Sequence, residues 1–185
     1  HLGKLRDPEA AAIGLIEFMG IDPEKLQISK EMKPRAYAAE VTRQYFNQNL
    51  ELDCSAVSDT EMLDLINYLI FPNFIAFTSV TQPFEFRFRP YGNDPDSCIM
   101  EVLILQPSTS EVKPLAAKIH WLTPEENWSD APELRQSGPV LDQDDSKFLL
   151  LQKGLKASAK PGITLGNYQE SRIRHFHQIL DKYLS

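Results

Sequence analysis

Cysteine is scarce in this sequence: Cys54 and Cys98 are the only two among 185 residues. They could form one disulfide at most, so the chain is not a disulfide scaffold, and a reducing cytoplasm is the expected compartment. Neither cysteine belongs to a C-x2-C or C-x-H pair. The sequence therefore predicts neither a zinc ribbon nor an iron–sulfur cluster held by this chain.

Long apolar runs and an excess of positive charge are also missing. No window reaches about 18 uninterrupted apolar residues, and no signal peptide opens the chain, so we expect no membrane span. The net charge is −7 and the isoelectric point is near 5.1. Nucleic acid or an anionic membrane would require a basic patch, so we expect neither as a partner.

Several catalytic and metal-binding motifs are absent. The sequence has no G-x-G-x-x-G, Walker A, G-x-S-x-G or H-E-x-x-H, which disfavours nucleotide binding and triad hydrolysis. It has four histidines, including His175 and His177. Residues two apart on a helix point about 200° apart. We therefore expect one of this pair to be exposed and the other partly packed, and the pair does not predict a metal site.

What is present suits a single soluble domain of mixed structure. Residues 8–20 and 34–50 have helical composition and periodicity. Ser58-Asp59-Thr60-Glu61 has the spacing of a capping box, which predicts a third helix start. Residues 67–80 are rich in β-branched and aromatic residues, and Pro72 argues against one long helix there.

The clearest strand signal is the strict alternation of F-E-F-R-F-R at 84–89, and 98–106 is a second strand that would pair with it as a hairpin. A further strand is predicted at Ala116–Leu122. Residues 123–139 are polar and rich in proline, which predicts a loop, and an amphipathic helix closes the chain from about 167. Helices, an antiparallel sheet and then two helices define an α+β fold, with helices packed on one face of the sheet.

Three carboxylates, Asp142, Asp144 and Asp145, precede an apolar run. If the helix starts near Asp144, with Asp142 before it, then Asp144 shares one apolar face with Phe148 and Leu151, and it is the acid expected to point inward. An acid on an apolar face must be paired, hydrogen-bonded or bound to a metal. The alternative is an N-cap acid that accepts backbone N–H bonds. Spacing alone leaves both interpretations open.

Four segments in this order resemble the C-terminal catalytic domain of the Rieske non-haem iron oxygenases, the alpha subunits of aromatic-ring-hydroxylating dioxygenases. They are Y-L-I-F-P-N-F (68–74), R-F-R-P-Y-G (87–92), D-Q-D-D…Q-K-G-L (142–155) and L-G-N-Y-Q-E-S-R-I-R-H-F-H (165–177). The resemblance is strongest from about residue 60. It implies a helix-grip fold (START/Bet v 1-like), in which a curved antiparallel sheet wraps around a long C-terminal helix.

The resemblance also implies a mononuclear Fe(II) held by two histidines and one carboxylate. The family carboxylate precedes Gln-x-Gly-Leu by eight residues, and Gln152-Lys153-Gly154-Leu155 then selects Asp144, with Asp145 as the fallback. Asn73 is a candidate for lining the substrate cavity, and no residue can be assigned as catalytic.

The sequence departs from the family pattern in several places. The D-x2-H-x4-H segment and the Rieske ligands are missing, and Leu149 stands where the family often has Glu. His1 could be the tail of the histidine segment. The chain begins without methionine, so we expect residues 1–185 to be a catalytic-domain fragment, inactive alone, whose Rieske domain and histidine segment lie elsewhere.

The implied function is that of a terminal oxygenase domain, which inserts oxygen from O2 into an aromatic substrate during aromatic hydrocarbon catabolism. Electrons would come from NAD(P)H through a reductase or ferredoxin and a [2Fe–2S] Rieske cluster, in a cytoplasmic homotrimer or alpha3beta3 assembly. One alternative is a helix-grip module that binds a hydrophobic ligand without catalysis. Another, less favoured, is a structural oxygenase subunit.

Overall fold

The computed structural model describes residues 8–22, 31–50, 52–81, 84–105 and 115–185. The chain divides into two compact units, His1–Ile119 and His120–Ser185. Among the described residues, no helix combines the length and the apolar character needed to cross a membrane.

Within its described residues, the first unit begins with three helices, α1 (Pro8–Phe18), α2 (Pro34–Leu50) and α3 (Asp59–Leu63). All three match the sequence prediction. Ser58 caps α3 and forms a capping box with Glu61, which satisfies backbone N–H groups that the helix itself cannot pair.

These helices contain the main core of the described residues. Small side chains on α2 allow α1 and α3 to pack closely against it. The buried polar group of this described core is the Thr42 hydroxyl, which donates a hydrogen bond to the Ala38 carbonyl at 2.8 Å. The buried apolar side chains of this core are Ala12, Ile16, Ile21, Ala38, Ala39, Val41, Phe46, Cys54 and Met62.

A four-stranded antiparallel sheet follows, in the order β1-β2-β3-β4. The strands are β1 (Ile66–Ile70), β2 (Phe74–Thr78), β3 (Phe84–Pro90) and β4 (Cys98–Ile104). Residues 67–80 thus form a hairpin rather than one element, and its turn contains a cis Phe71–Pro72 peptide bond.

The predicted alternation along β3 is confirmed. Phe86 pairs with Val102, and Arg87 pairs with Glu101, so the phenylalanines and the charged residues occupy opposite faces. Phe77 on β2 contacts Phe86 edge to face, with ring centroids 5.1 Å apart. The apolar face of the sheet is therefore rich in aromatic rings.

The strand predicted at Ala116–Leu122 is wrong. Residues 115–122 form no strand or helix, and Leu115, Ile119 and Trp121 are exposed. The alternation of apolar and polar residues fits a strand, but local propensity gives a strand only where a partner strand supplies backbone hydrogen bonds.

The second unit contains two 3₁₀ turns, Trp128–Asp130 and Pro132–Ser137, followed by α4 (Gly138–Ala157) and α5 (Ser171–Leu184). Ala131, Leu134, Gly138 and Leu141 form its small buried centre. The α+β class is thereby confirmed. The helix-grip arrangement stays a prediction, because the sheet lies in one unit and α5 in the other.

Candidate functional site

The helix that carries the three carboxylates begins earlier than the sequence suggested. Its N-cap is Ser137 and its first residue is Gly138, six residues before Asp144. Both the expected start near Asp144 and the placement of Asp142 ahead of the helix are therefore wrong. Pro139 explains the early start, since proline is well suited to the first turn of a helix. Asp144 is consequently not an N-cap residue.

Asp142 has a structural role. Its Oδ1 accepts a hydrogen bond from the Trp128 N–H at 2.6 Å, and its Oδ2 accepts from the Ser129 N–H at 3.3 Å and from the Ser129 hydroxyl. The carboxylate thus satisfies the otherwise unpaired donors at the start of the first 3₁₀ turn. No local sequence pattern indicates this contact, because Trp128 and Asp142 are separated by 14 residues.

Asp144 is the carboxylate that remains available on the apolar side of α4. It shares that side with Phe148, Leu151 and Leu155, as the helical spacing predicts. Its Oδ1 lies 3.6 Å from Lys147 Nζ, and each of these two side chains is 61% exposed. Such an exposed pair contributes little free energy, so the carboxylate can exchange this partner for a ligand at low cost.

An open hollow lies beside Asp144. It has a volume of about 520 Å³, and it is lined by Asp144, Lys147, Phe148, Leu150 and Leu151. All five residues lie on α4, so the hollow belongs to one helix face. Leu149, Leu150 and Leu151 are exposed within the described residues. Asp144 therefore lies at the polar end of an exposed, leucine-rich surface, and the expectation that it points inward is wrong.

Asp145, the fallback ligand, lies on a different side of α4. It follows Gly138 by seven residues and Leu141 by four, and this spacing places it on the side that packs against the 3₁₀ turns. Its side chain is exposed. Of the two neighbouring carboxylates, Asp144 is the one that the helix places next to the apolar hollow.

Asn73, the predicted cavity residue, ties two strands together. Its side-chain Nδ2 donates a hydrogen bond to the Phe88 carbonyl at 2.6 Å, and its backbone carbonyl accepts one from the Phe88 N–H at 2.9 Å. These two bonds attach the turn between β1 and β2 to β3. They give Asn73 a structural role, and its contact with a substrate stays a prediction.

The histidines do not form a metal site among the described residues. His175 and His177 are both exposed, so the expectation that one of them is partly packed is wrong. His120 Nδ1 lies 2.9 Å from Glu133 Oε2, a contact that the sequence analysis missed. His1 lies outside the described residues. Within the described part of the chain, no three His, Cys, Asp or Glu side chains are grouped closely enough to hold a metal ion.

The carboxylate of Asp144 has the chemistry of one ligand of an iron site. Fe(II) in two-histidine, one-carboxylate centres takes one carboxylate oxygen donor from the protein. Asp144 supplies such a donor on an accessible helix face. Among the described residues, no complete set of metal ligands surrounds it.

Cys54 is not a candidate for catalysis. Burial raises the pKa of the Cys54 thiol, and the neighbouring Asp53 carboxylate raises it further. A thiol with a raised pKa is a poor nucleophile at neutral pH. Cys54 also packs beside Phe46 and Met62 in the helical core, which is a structural position.

Comparison with protein families identifies the class to which this arrangement belongs. Residues 10–185 match the family described as ring hydroxylating alpha subunit (catalytic domain). Searches of curated proteins and of solved structures found no match.

The chain therefore belongs to the ring hydroxylating alpha subunit family, and it is the catalytic, terminal oxygenase domain of such a subunit. The match begins at residue 10, so it includes the three helices of the first unit, where the resemblance in sequence is weakest.

Proposed function

We propose that this domain inserts oxygen from O2 into an aromatic substrate at a mononuclear Fe(II), and that Asp144 is the carboxylate ligand of that iron. The family match supports the reaction class. The observation that carries the assignment of Asp144 is its place on α4, where an accessible carboxylate borders an apolar hollow.

The chemistry follows from the kind of site. Two imidazoles and one carboxylate leave open positions on iron, and bound iron supplies the place where O2 is activated. In this proposal the chain would hold the metal through Asp144, and Phe148, Leu150 and Leu151 would supply the apolar surface beside it. A mainly apolar lining with few polar groups suits an aromatic substrate.

The remaining components are part of the same proposal. The imidazoles come from residues outside the described part of the chain. Electrons come from NAD(P)H through a reductase or ferredoxin and a [2Fe–2S] Rieske cluster. The whole subunit works in the cytoplasm as a homotrimer or with beta subunits, and the domain alone is inactive. The alternative of a ligand-binding module without catalysis has no support in the family match.

The test compares Asp144→Ala with Asp145→Ala in the whole iron-containing subunit. Loss of a residue that hydrogen-bonds to a metal ligand typically weakens metal binding by roughly 10–100-fold. Asp144→Ala removes the ligand itself, so we expect a larger loss of Fe(II) affinity. Asp145→Ala removes the same charge from the same helix and should retain the iron. Metal content per folded subunit, measured by mass spectrometry, distinguishes the two.

The opposite pattern would assign the ligand to Asp145. Unchanged iron in both variants would refute the assignment of the metal to α4. A third variant, Asp181→Ala on α5, controls for the loss of one negative charge elsewhere in the same unit.

A further inference from the structure

We infer that Asp142 is a positioning residue: it fixes the rotation of α4 about its axis and thereby the direction in which Asp144 points. This inference rests on the proposed function, because it assumes that Asp144 binds the iron. Asp142 itself is not a ligand, since both of its oxygens already accept hydrogen bonds from the first 3₁₀ turn.

The contact between Asp142 and the turn is strong and specific. Three donors converge on one carboxylate, namely the Trp128 N–H, the Ser129 N–H and the Ser129 hydroxyl. Hydrogen bonds to an ionised acceptor are roughly twice as strong as neutral ones. Because both oxygens are engaged, the carboxylate cannot turn without breaking a bond. The turn and the first part of α4 are thus joined at a defined angle.

A second contact on the same side of α4 acts in the same direction. Gly138 lies so close to the turn that a Cβ placed on it would be 2.8 Å from Ser129 Cα. Leu141 is buried at 9% exposure beside it. One side of the helix is therefore held against the turn by Gly138, Leu141 and the hydrogen-bonded carboxylate of Asp142.

Helix geometry carries this constraint to Asp144. Residues two apart point about 200° apart, so Asp144 lies on nearly the opposite side from Asp142. A carboxylate sits about 5–6 Å from the helix axis, so a rotation of about 20° would move it by about 2 Å. Metal ligands must be held within about 0.5 Å of the productive geometry. A modest loss of rotational control would therefore weaken iron binding.

The experiment uses the whole iron-containing subunit with Asp142→Ala, Asp142→Asn and Ser129→Ala. Asp142→Ala should raise the dissociation constant for Fe(II) by roughly 10–100-fold. Asp142→Asn keeps one oxygen acceptor for the Trp128 N–H and should show a smaller effect. Ser129→Ala removes only the hydroxyl and should show the smallest. If Asp142→Ala fails to fold, the other two variants give the answer.

A spectroscopic measurement separates positioning from simple destabilisation. The paramagnetic resonance spectrum of the Fe(II)–nitric oxide adduct reports ligand geometry in the molecules that are folded and loaded. We expect this spectrum to broaden or shift in the Asp142 variants. Ser58→Ala is the matched control, since it also removes a side chain that caps backbone N–H groups. It should leave the spectrum and the affinity unchanged.

The outcomes distinguish the two proposals. If Asp144→Ala loses iron while the Asp142 variants keep wild-type affinity and spectrum, Asp142 is only a structural residue and this inference is overturned. If Asp144→Ala keeps its iron, the proposed ligand is wrong, and the inference about Asp142 falls with it.

Discussion

At the scale of single residues, one carboxylate on the sheet, that of Glu101, has a strongly lowered pKa. Glu101 on β4 accepts hydrogen bonds from Arg87 Nε and from Arg89 Nε and Nη2, the latter two at 3.0 and 2.6 Å. The hydrogen bonds from Arg87 and then from Arg89 lower the pKa of Glu101 from 4.5 to about 2. The carboxylate therefore stays ionised in the folded protein well below the pH at which an unfolded chain would protonate it.

This shift predicts how stability depends on acid. A lowered pKa in the folded state gives stability that is present above about pH 4.5 and lost as the pH falls towards 2. Glu101→Gln should cost about 1 kcal/mol of unfolding free energy at pH 6, because the arginines are partly exposed. That difference from the wild type should shrink towards zero at pH 2.5. Urea unfolding at the two pH values measures it.

The control for this prediction is Glu85→Gln on β3, on the same face of the sheet as Glu101. Glu85 Oε2 has no hydrogen-bond partner among the described residues, so the change should cost less than Glu101→Gln at pH 6. A deficit for Glu101→Gln that stays constant from pH 6 to 2.5 would contradict the role assigned to the ion pairs.

At the scale of the elements, the described core lies mainly in the helices of the first unit. Ile16 and Ile13 are on the same helix, α1, but Ile16 is 2% exposed and Ile13 is 46% exposed. The helix therefore presents one isoleucine to the core and another to solvent. This pair allows the contribution of burial to be measured without changing the residue type or the helix.

We expect Ile16→Ala to lower the free energy of unfolding by about 3 kcal/mol, since it removes buried methyl groups and leaves a cavity. Ile13→Ala should lower it by less than about 1 kcal/mol, because the site is half exposed. Chemical denaturation followed by circular dichroism tests both. Equal losses in the two variants would show that α1 does not pack as described.

The elements with local signals were predictable from sequence, and those that depend on distant partners were not. The capping box at Ser58 and the alternation along β3 involve neighbours in the chain, and both are confirmed. Residues 115–122 carry a similar alternation but form no strand. The start of α4 differs from the prediction because the polar, proline-rich pattern of residues 123–139 indicates a loop, although proline also favours the first turn of a helix.

The candidate site shows the same limit. Helical spacing correctly placed Asp144 with Phe148 and Leu151, because that relation is internal to α4. The hydrogen bonds from Trp128 and Ser129 to Asp142 depend on how the chain folds back over 14 residues. The pairing of His120 with Glu133 is of the same kind, and residue types alone do not reveal it.

At the scale of the whole molecule, the family match runs from residue 10 to the end and so includes both compact units. The helical core and the carboxylate helix are therefore parts of one catalytic domain in the family. The net charge of −7 gives a surface that repels polyanions such as nucleic acid.

Iron should stabilise the whole subunit if Asp144 binds it. A ligand at 100 times its dissociation constant adds about 2.7 kcal/mol to the stability of the folded state. Removal of iron with a chelator should therefore lower the melting temperature of the wild-type subunit, and scanning calorimetry measures the change. In Asp144→Ala the chelator should have little effect. An equal drop in both proteins would place the stabilising metal elsewhere.

The paired bonds between Asn73 and Phe88 have a consequence for how the sheet finds its alignment. A slip of one residue between neighbouring strands would exchange the aromatic and the charged faces of β3. Both bonds join the same two residues, so any such slip would break them together. The turn between β1 and β2 thus fixes the alignment of β2 with β3, because a misaligned sheet would lose both hydrogen bonds at once.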